Sequence, residues 1–155
     1  MKEIKLTKGY VTIVDDDTYK WAKMLKWQAR EVTNGVYAVH GQHSLKNVHL
    51  HRLILGAQPG ELVDHIDGNG LNNLMSNLRI CTNAQNQRNQ RPQKGGTSIY
   101  KGVYWRKDNK KWMAYIQFDR ERTHLGCFNS ELDAAVAYDK KARELFGEFA
   151  RTNFL

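Results

Sequence analysis

Residues 61–89 read ELVDHIDGNGLNNLMSNLRICTNAQNQRN, and the first half of the chain is best understood outward from this stretch. Asp, His and Asn crowd into it while apolar side chains are few. Asp64 and His65 are adjacent, and Gly68 and Gly70 flank Asn69 in what must be a loop. Leu78–Cys81 is short and apolar, and Thr82 is placed to cap a helix carrying Asn83, Asn86 and Asn89. A His beside an Asp can divide two tasks of phosphodiester hydrolysis, activating water and holding a cation. Magnesium takes hard oxygen ligands and keeps several waters, so one carboxylate and one amide oxygen can suffice. Asp64 and Asn86 supply that pair if the helix folds back over the strand. The competing reading is plain turn chemistry, because Asp and Asn beside Gly also stabilise turns.

Upstream, Tyr10–Val14 alternates like a strand, and Asp17–Leu25 has Trp21, Met24 and Leu25 at helical spacing. Val36–His40 and Val48–Leu53 read as strands of a small hairpin system. His40, His43, His49 and His51 suggest zinc only superficially. Their spacing fits alternating strand faces rather than a closed tetrahedral site, and no Cys accompanies them.

Downstream, the chain divides near residues 90–98. The segment 91–98, RPQKGGTS, is almost devoid of apolar side chains and reads as a linker. Beyond it, Gly102–Trp105, Trp112–Phe118 and Thr123–Phe128 predict three short antiparallel strands. In the middle one Trp112, Ala114, Ile116 and Phe118 point one way, and Met113, Tyr115 and Gln117 the other. Trp112 therefore belongs to the core side. A helix follows, with Ser130 as N-cap, Asp133 three residues on, an apolar stripe of Leu132, Ala135, Val136, Ala142, Leu145 and Phe146, and Gly147 as its stop. One helix covers one sheet face and leaves the other open to a partner.

The 155-residue chain carries a formal charge of +8. The excess is +3 over residues 1–89 and +5 over residues 90–155. Arg91, Lys94, Lys101, Arg106, Lys107, Lys110 and Lys111 face only Asp108, and Tyr104, Trp105 and Trp112 are interleaved with them. This suits phosphate contact combined with packing against bases or sugars. Cys81 and Cys127 form no C-x-x-C pair, which argues against a disulfide framework and a Cys-based zinc site and suits a reducing cytosol. No apolar run is long enough to span a membrane, and the N-terminus lacks the apolar core of a signal peptide. The expected location is the cytoplasm of a bacterial or phage-infected cell.

VDHIDGN…NNLMSNLRICTNAQNQ resembles the signature of HNH endonucleases, in the version found in phage and intron-associated homing endonucleases, over roughly Val48–Asn89. The resemblance implies a ββα-metal fold holding one divalent ion, magnesium or manganese. Asp64 would be a metal ligand, His65 the general base, Asn77 the middle residue that holds the loop and orients the base, and Asn86 the second ligand, where many relatives carry His. VHLHRLILG is similar to the family's lead-in strand. Arg52, Arg79 and His51 are candidates for phosphate contact, with a structural role the stronger reading for His51. Ser98–Phe154 is similar to the Apetala-two/ethylene-response-factor DNA-binding domain of plants, which lays its sheet in the major groove. That resemblance points to Lys101, Tyr104, Arg106, Tyr115, Gln117, Arg122 and His124 as DNA contacts. Several of these are other residues in the plant proteins, so their sequence preference does not transfer.

The expectation is thus an α+β protein. A nuclease domain over 1–90 and a linker over 91–98 precede a DNA-binding domain over 99–155, a three-stranded antiparallel sheet packed on one helix. It would hydrolyse phosphodiester bonds of double-stranded DNA, nicking one strand, as a monomer or weak dimer. Two other readings are a catalytically inactive DNA-binding regulator and an RNA-binding protein that stacks bases on exposed aromatics. Met1–Asn47 has no role that its residues declare.

Overall fold

The computed structural model describes residues 1–33, 35–41, 48–92 and 95–154. His43 and Lys94, and part of the expected linker, lie outside them. The fold is mixed α+β, and the chain forms two compact units, Met1–Asn86 and Gln87–Leu155.

The first unit is built from small sheets. β1 (Lys2–Lys5) pairs antiparallel with β2 (Val11–Val14). β2 also pairs in parallel with the two-residue β7 (Asn72–Asn73), matching Ile13 with Asn72 and Val14 with Asn73. A second sheet joins β3 (Gln28–Val32), β4 (Gly35–His40) and β5 (Val48–His49). A third pairs β6 (Leu62–His65) with β8 (Leu78–Cys81), which places Asp64 opposite Arg79 and His65 opposite Leu78. α3 (Asn83–Asn89) follows β8. Thr82 starts it with a reciprocal cap: its Oγ1 accepts from Gln85 N at 3.2 Å while Gln85 Oε1 accepts from Thr82 N at 2.7 Å. The apolar core collects Ile4, Leu6, Val14, Ala22, Trp27, Ala38 and Leu50.

Two upstream expectations need correction. The helix α1 runs only over Asp16–Ala22. Trp21, Met24 and Leu25 are exposed, and Thr18 and Ala22 are the buried face. The strand expected over Val48–Leu53 stops at His49 and becomes the helix α2 (Leu50–Leu55). Leu50 and Ile54, four residues apart, pack into the core, and Gly56 at φ 61 ends the helix in the left-handed region. A run of alternating-looking apolar residues this short does not distinguish strand from helix.

In the second unit, β10 (Lys111–Phe118) lies between β9 (Val103–Arg106) and β11 (Glu121–Phe128), all antiparallel. α4 (Glu131–Phe146) packs on one face. The register slips between Ala114↔Gly126 and Tyr115↔His124, which leaves Leu125 as an extra residue that still packs against the core. Ser130 caps α4 through Asp133 N. The expected helix stripe is displaced: Leu132 and Val136 are 53% and 56% exposed, and Ala134, Ala135, Tyr138, Asp139, Ala142 and Phe146 are buried. Small alanines let the helix approach the sheet closely, so the larger aliphatics fall outside the contact. Asp139 accepts from Asn153 N and Nδ2 and from Phe154 N at 2.8–2.9 Å, fastening the C-terminal segment to α4. Thr97 and Ser98, expected in the linker, belong to this unit: Thr97 Oγ1 accepts from Trp105 N at 2.8 Å and Ser98 Oγ donates to Glu131 at 2.7 Å. Among the described residues no helix is long and apolar enough to cross a membrane.

Candidate active site and nucleic-acid interface

The loop between β6 and β8 is held by amide chemistry. Asp67 carboxylate oxygens accept from Asn69 N at 2.7 Å, Asn72 Nδ2 at 2.7 Å and Asn77 Nδ2 at 3.0 Å. Burial pushes the Asp67 carboxyl up, but these three donors outweigh it and hold it below the usual carboxylate range. Asn77 closes the loop from its far end. Its Oδ1 accepts from Asp67 N at 3.1 Å, its Nδ2 donates to Asn72 O at 2.8 Å, and its backbone carbonyl accepts from Ile66 N at 2.9 Å. Asn77 therefore holds the loop, as its place in the motif suggests. The side chain that touches the imidazole is a neighbour's: His65 Nε2 lies 3.3 Å from Asn73 Oδ1.

His65 is buried at 5% exposure, and it sits among rings. His51 meets it edge-on, with centroids 5.0 Å apart at 88°, and Tyr37 lies 5.8 Å away. His49 stacks on His51 at 5.1 Å. Burial lowers the His65 pKa from its ordinary 6.5, against Asn73, Asp67 and Asp64, which raise it. His51 is pushed down to about 3, by burial first and then by its His65, His49 and Arg52 neighbours. His51 is thus a neutral, buried wall behind His65 rather than a surface contact. Gly70 explains how Tyr37 reaches this place. A Cβ there would lie 2.5 Å from Val36 O and 2.7 Å from the Tyr37 ring, so only glycine lets the loop press against β4.

Asp64 is 6% exposed, and its Oδ2 accepts from Arg79 Nε at 3.0 Å and Nη2 at 2.8 Å. Arg79, expected to reach phosphate, is bound to the neighbouring carboxylate. Asn86 is half-buried on α3, and among the described residues its side-chain amide has no hydrogen-bond partner. The donors of Asp64 and Asn86 are hard oxygens, which fit a magnesium-like cation that completes its shell with water and substrate. Such a cation would share Asp64 with the Arg79 guanidinium. Among the described residues no group of three or more His, Cys, Asp or Glu side chains is placed to hold a metal. His40 instead contacts Lys26 O through Nδ1 at 2.9 Å and packs against Trp27.

Two other expected contacts are turned inward. Arg52 donates to the carbonyls of Glu61, Ala57 and Gln58, bracing the turn after α2. Lys101 donates through Nζ to Arg88 O and Gln90 O, and burial pushes its ammonium down to about 8. Their cations already donate to backbone carbonyls of the fold. The remaining residues share the sheet face opposite α4. Arg106, Tyr104, Gln117, Arg122 and His124 are exposed and Tyr115 is half-buried. Arg122 lies 4.1 Å from the Tyr115 ring centroid and 5.2 Å from that of Tyr104, and His124 packs on Tyr115 at 4.9 Å. Arg106 is paired with Asp108 at 2.8 Å.

A family model described as HNH endonuclease matches residues 48–88, which contain Asp64, His65, Asn77 and Asn86. An uncharacterized HNH endonuclease of Acanthamoeba polyphaga mimivirus is 34% identical over 152 residues, covering 94% of this chain and 76% of that protein. The chain belongs to the HNH endonuclease family. Protein 3.8 of Escherichia phage T7 is 34% identical over 92 residues, 59% of this chain and 75% of its own length. The second unit has a different kinship. An ethylene-responsive transcription factor of Arabidopsis thaliana is 40% identical over 62 residues, 39% of this chain and 34% of the plant protein. This HNH endonuclease thus carries an ethylene-response-factor-like segment. The loop between β6 and β8 contains polar residues that the motif alone does not single out: the buried Asn73, the half-buried Asn72 and the exposed Asp67. Thr12 and Tyr37 lie outside the matched segment. Nothing in the sequence sets Asn73 apart from the other asparagines around it; its pairing with β2 and its complete burial do.

Proposed function

We propose that the protein is a divalent-metal-dependent endonuclease that nicks double-stranded DNA, directed to its target by the exposed sheet face of the second unit. The observation that carries this reading is the buried imidazole of His65 beside Asp64, inside the segment that matches the HNH family. A base must be neutral to take a proton, and burial lowers the His65 pKa, which favours that form. His65 takes a proton from water as its oxygen forms a bond to phosphorus and the bond to the leaving oxygen breaks. Asp64 and Asn86 would hold a divalent cation, and Asn77 keeps the loop closed. A divalent cation bound there would stabilise negative charge on the phosphate and the leaving oxygen. One such site per chain cuts one strand, and a monomer suffices for that.

Tyr104, Arg106, Tyr115, Gln117, Arg122 and His124 form the DNA-reading face. Arg122 stacked on two tyrosines presents a planar guanidinium suited to guanine, and Gln117 beside it suits adenine. Such an enzyme acts in the cytoplasm of the bacterial or phage-infected cell that makes it. One observation favours a second reading, a DNA-binding regulator that does not cut. Arg79 places a positive charge on Asp64, where a cation would have to bind.

The experiment is conversion of supercoiled plasmid to open circles with magnesium or manganese. The plasmid carries DNA from the genome that encodes the protein, and wild type is compared with His65→Ala and Asp64→Asn. The endonuclease reading expects cutting by wild type and a loss of about 10²-fold or more in both variants. No cutting by wild type under either metal, with tight salt-sensitive binding, would leave the regulator.

A further inference from the structure

The His65 imidazole is fastened to a chain of hydrogen bonds that begins outside the family-matched segment, on β2. Thr12 is fully buried there, and its hydroxyl donates to Leu71 O at 2.8 Å. A carbonyl oxygen only accepts, so the hydroxyl proton points at Leu71 and its lone pairs face the other way. They accept Nδ2 of Asn73, itself fully buried, at 2.8 Å, and the same amide nitrogen donates to Gly70 O at 3.3 Å. Both amide hydrogens are thereby placed, which leaves the amide oxygen facing His65. Asn73 Oδ1 lies 3.3 Å from His65 Nε2. An amide oxygen cannot donate, so Nε2 must carry the ring proton.

We propose that Thr12 and Asn73 are positioning residues that fix the tautomer of His65, holding Nε2–H and leaving Nδ1 as its basic atom. The proposal rests on the reading of His65 as general base. A neutral imidazole has two tautomers, and only the one with a bare nitrogen facing the reacting water can take its proton. The same relay gives the N-terminal segment a task. The parallel pairing of β2 with β7, with Ile13 N on Leu71 O at 3.0 Å, holds Thr12 in register with Asn73. The residues upstream of the HNH segment then deliver a part of its active site rather than extra surface.

The test reads the tautomer directly, from the 15N chemical shifts of the His65 ring nitrogens in the full chain without DNA or metal. Wild type is expected to show a protonated Nε2 and a bare Nδ1. Thr12→Val keeps the shape of the side chain and removes its hydroxyl, so the amide of Asn73 is free to turn. The variant is expected to mix the tautomers and to lose about tenfold or more in single-turnover cleavage at saturating DNA, with binding unchanged. Thr12→Ser restores the hydroxyl and is expected to recover both readings. A wild-type ring protonated on Nδ1 with Nε2 bare would overturn the proposal even if Thr12→Val failed to fold. So would a folded Thr12→Val that keeps the wild-type tautomer and rate. If the shifts follow the expectation while His65→Ala cuts as well as wild type, the relay stands and the assignment of the base falls.

Discussion

The two units bury different things. Beside its apolar core, the first hides Thr12, His51, Asp64, His65, Asn73 and Asn77, a cluster of buried polar side chains. The second packs Val103, Ala114, Ile116, Ala134, Ala135, Ala142 and Phe146 under its sheet and keeps its polar side chains on the open face. Catalysis needs groups taken out of water and aimed, whereas reading DNA needs groups left in water on a rigid frame. A substitution in the first unit should therefore disturb stability and chemistry together. In the second, recognition should be separable from stability.

The buried pair of Asp64 and Arg79 gives the largest expected effect. Asp64→Leu removes the carboxylate from a guanidinium only 11% exposed and should cost about 3–5 kcal/mol in urea denaturation. Adding Arg79→Met should return most of that stability and none of the cleavage. A double variant that cuts DNA would break the link between the interior and the chemistry.

Asp139 is the exception to the apolar interior of the second unit, and it tests whether that unit also depends on buried polar bonds. Asp139→Ala leaves Asn153 and Phe154 amides without their acceptor and should cost about 3 kcal/mol by thermal or urea melting. His65 cleavage at saturating DNA should be preserved wherever the variant remains folded.

Acid sharpens the contrast further. The folded pKa of His51 is about 3 and its ordinary value 6.5, so across that window the unfolded chain binds a proton that the folded chain excludes. Stability should fall as pH falls from 6.5 towards 3, by up to about 1.4 kcal/mol per pH unit from this residue. His51→Leu should flatten that part of the stability profile. A profile unchanged by the substitution would mean that His51 is solvated or protonated in the fold.

The smallest effect on folding belongs to the reading face. Arg122→Ala should leave the melting temperature unchanged while weakening DNA binding about tenfold and relaxing the preference for guanine at the contacted position. Loss of stability on this substitution would show that the stack on Tyr104 and Tyr115 is structural.

Much of the second unit was legible in the sequence because its strands obey a two-residue alternation and its helix carries a cap and a stop. The alternation places Ala114 and Ile116 inward and Tyr115 and Gln117 outward. It does not reveal that Ala134 and Ala135, rather than Leu132 and Val136, set the helix rotation, because packing distance rather than hydrophobicity decides that contact. In the first unit the motif marks Asp64, His65, Asn77 and Asn86. It cannot mark Thr12, which lies 61 residues from its partner Asn73, or Tyr37, which reaches the site through a gap left by Gly70. The sequence was least informative about the surroundings of the cationic candidates. Arg79 is paired with Asp64, and Arg52 and Lys101 donate to backbone carbonyls; sequence shows a charge without showing what it meets in the fold.

The most direct test of this division of labour is single-turnover cleavage of target DNA at saturating protein, compared for wild type, His65→Ala and Arg122→Ala. The account predicts that His65→Ala is slower by about 10²-fold or more at saturation and that Arg122→Ala, once saturated, cuts at the wild-type rate. A His65→Ala protein that cuts as fast as wild type, or an Arg122→Ala protein as slow at saturation as His65→Ala, would contradict it.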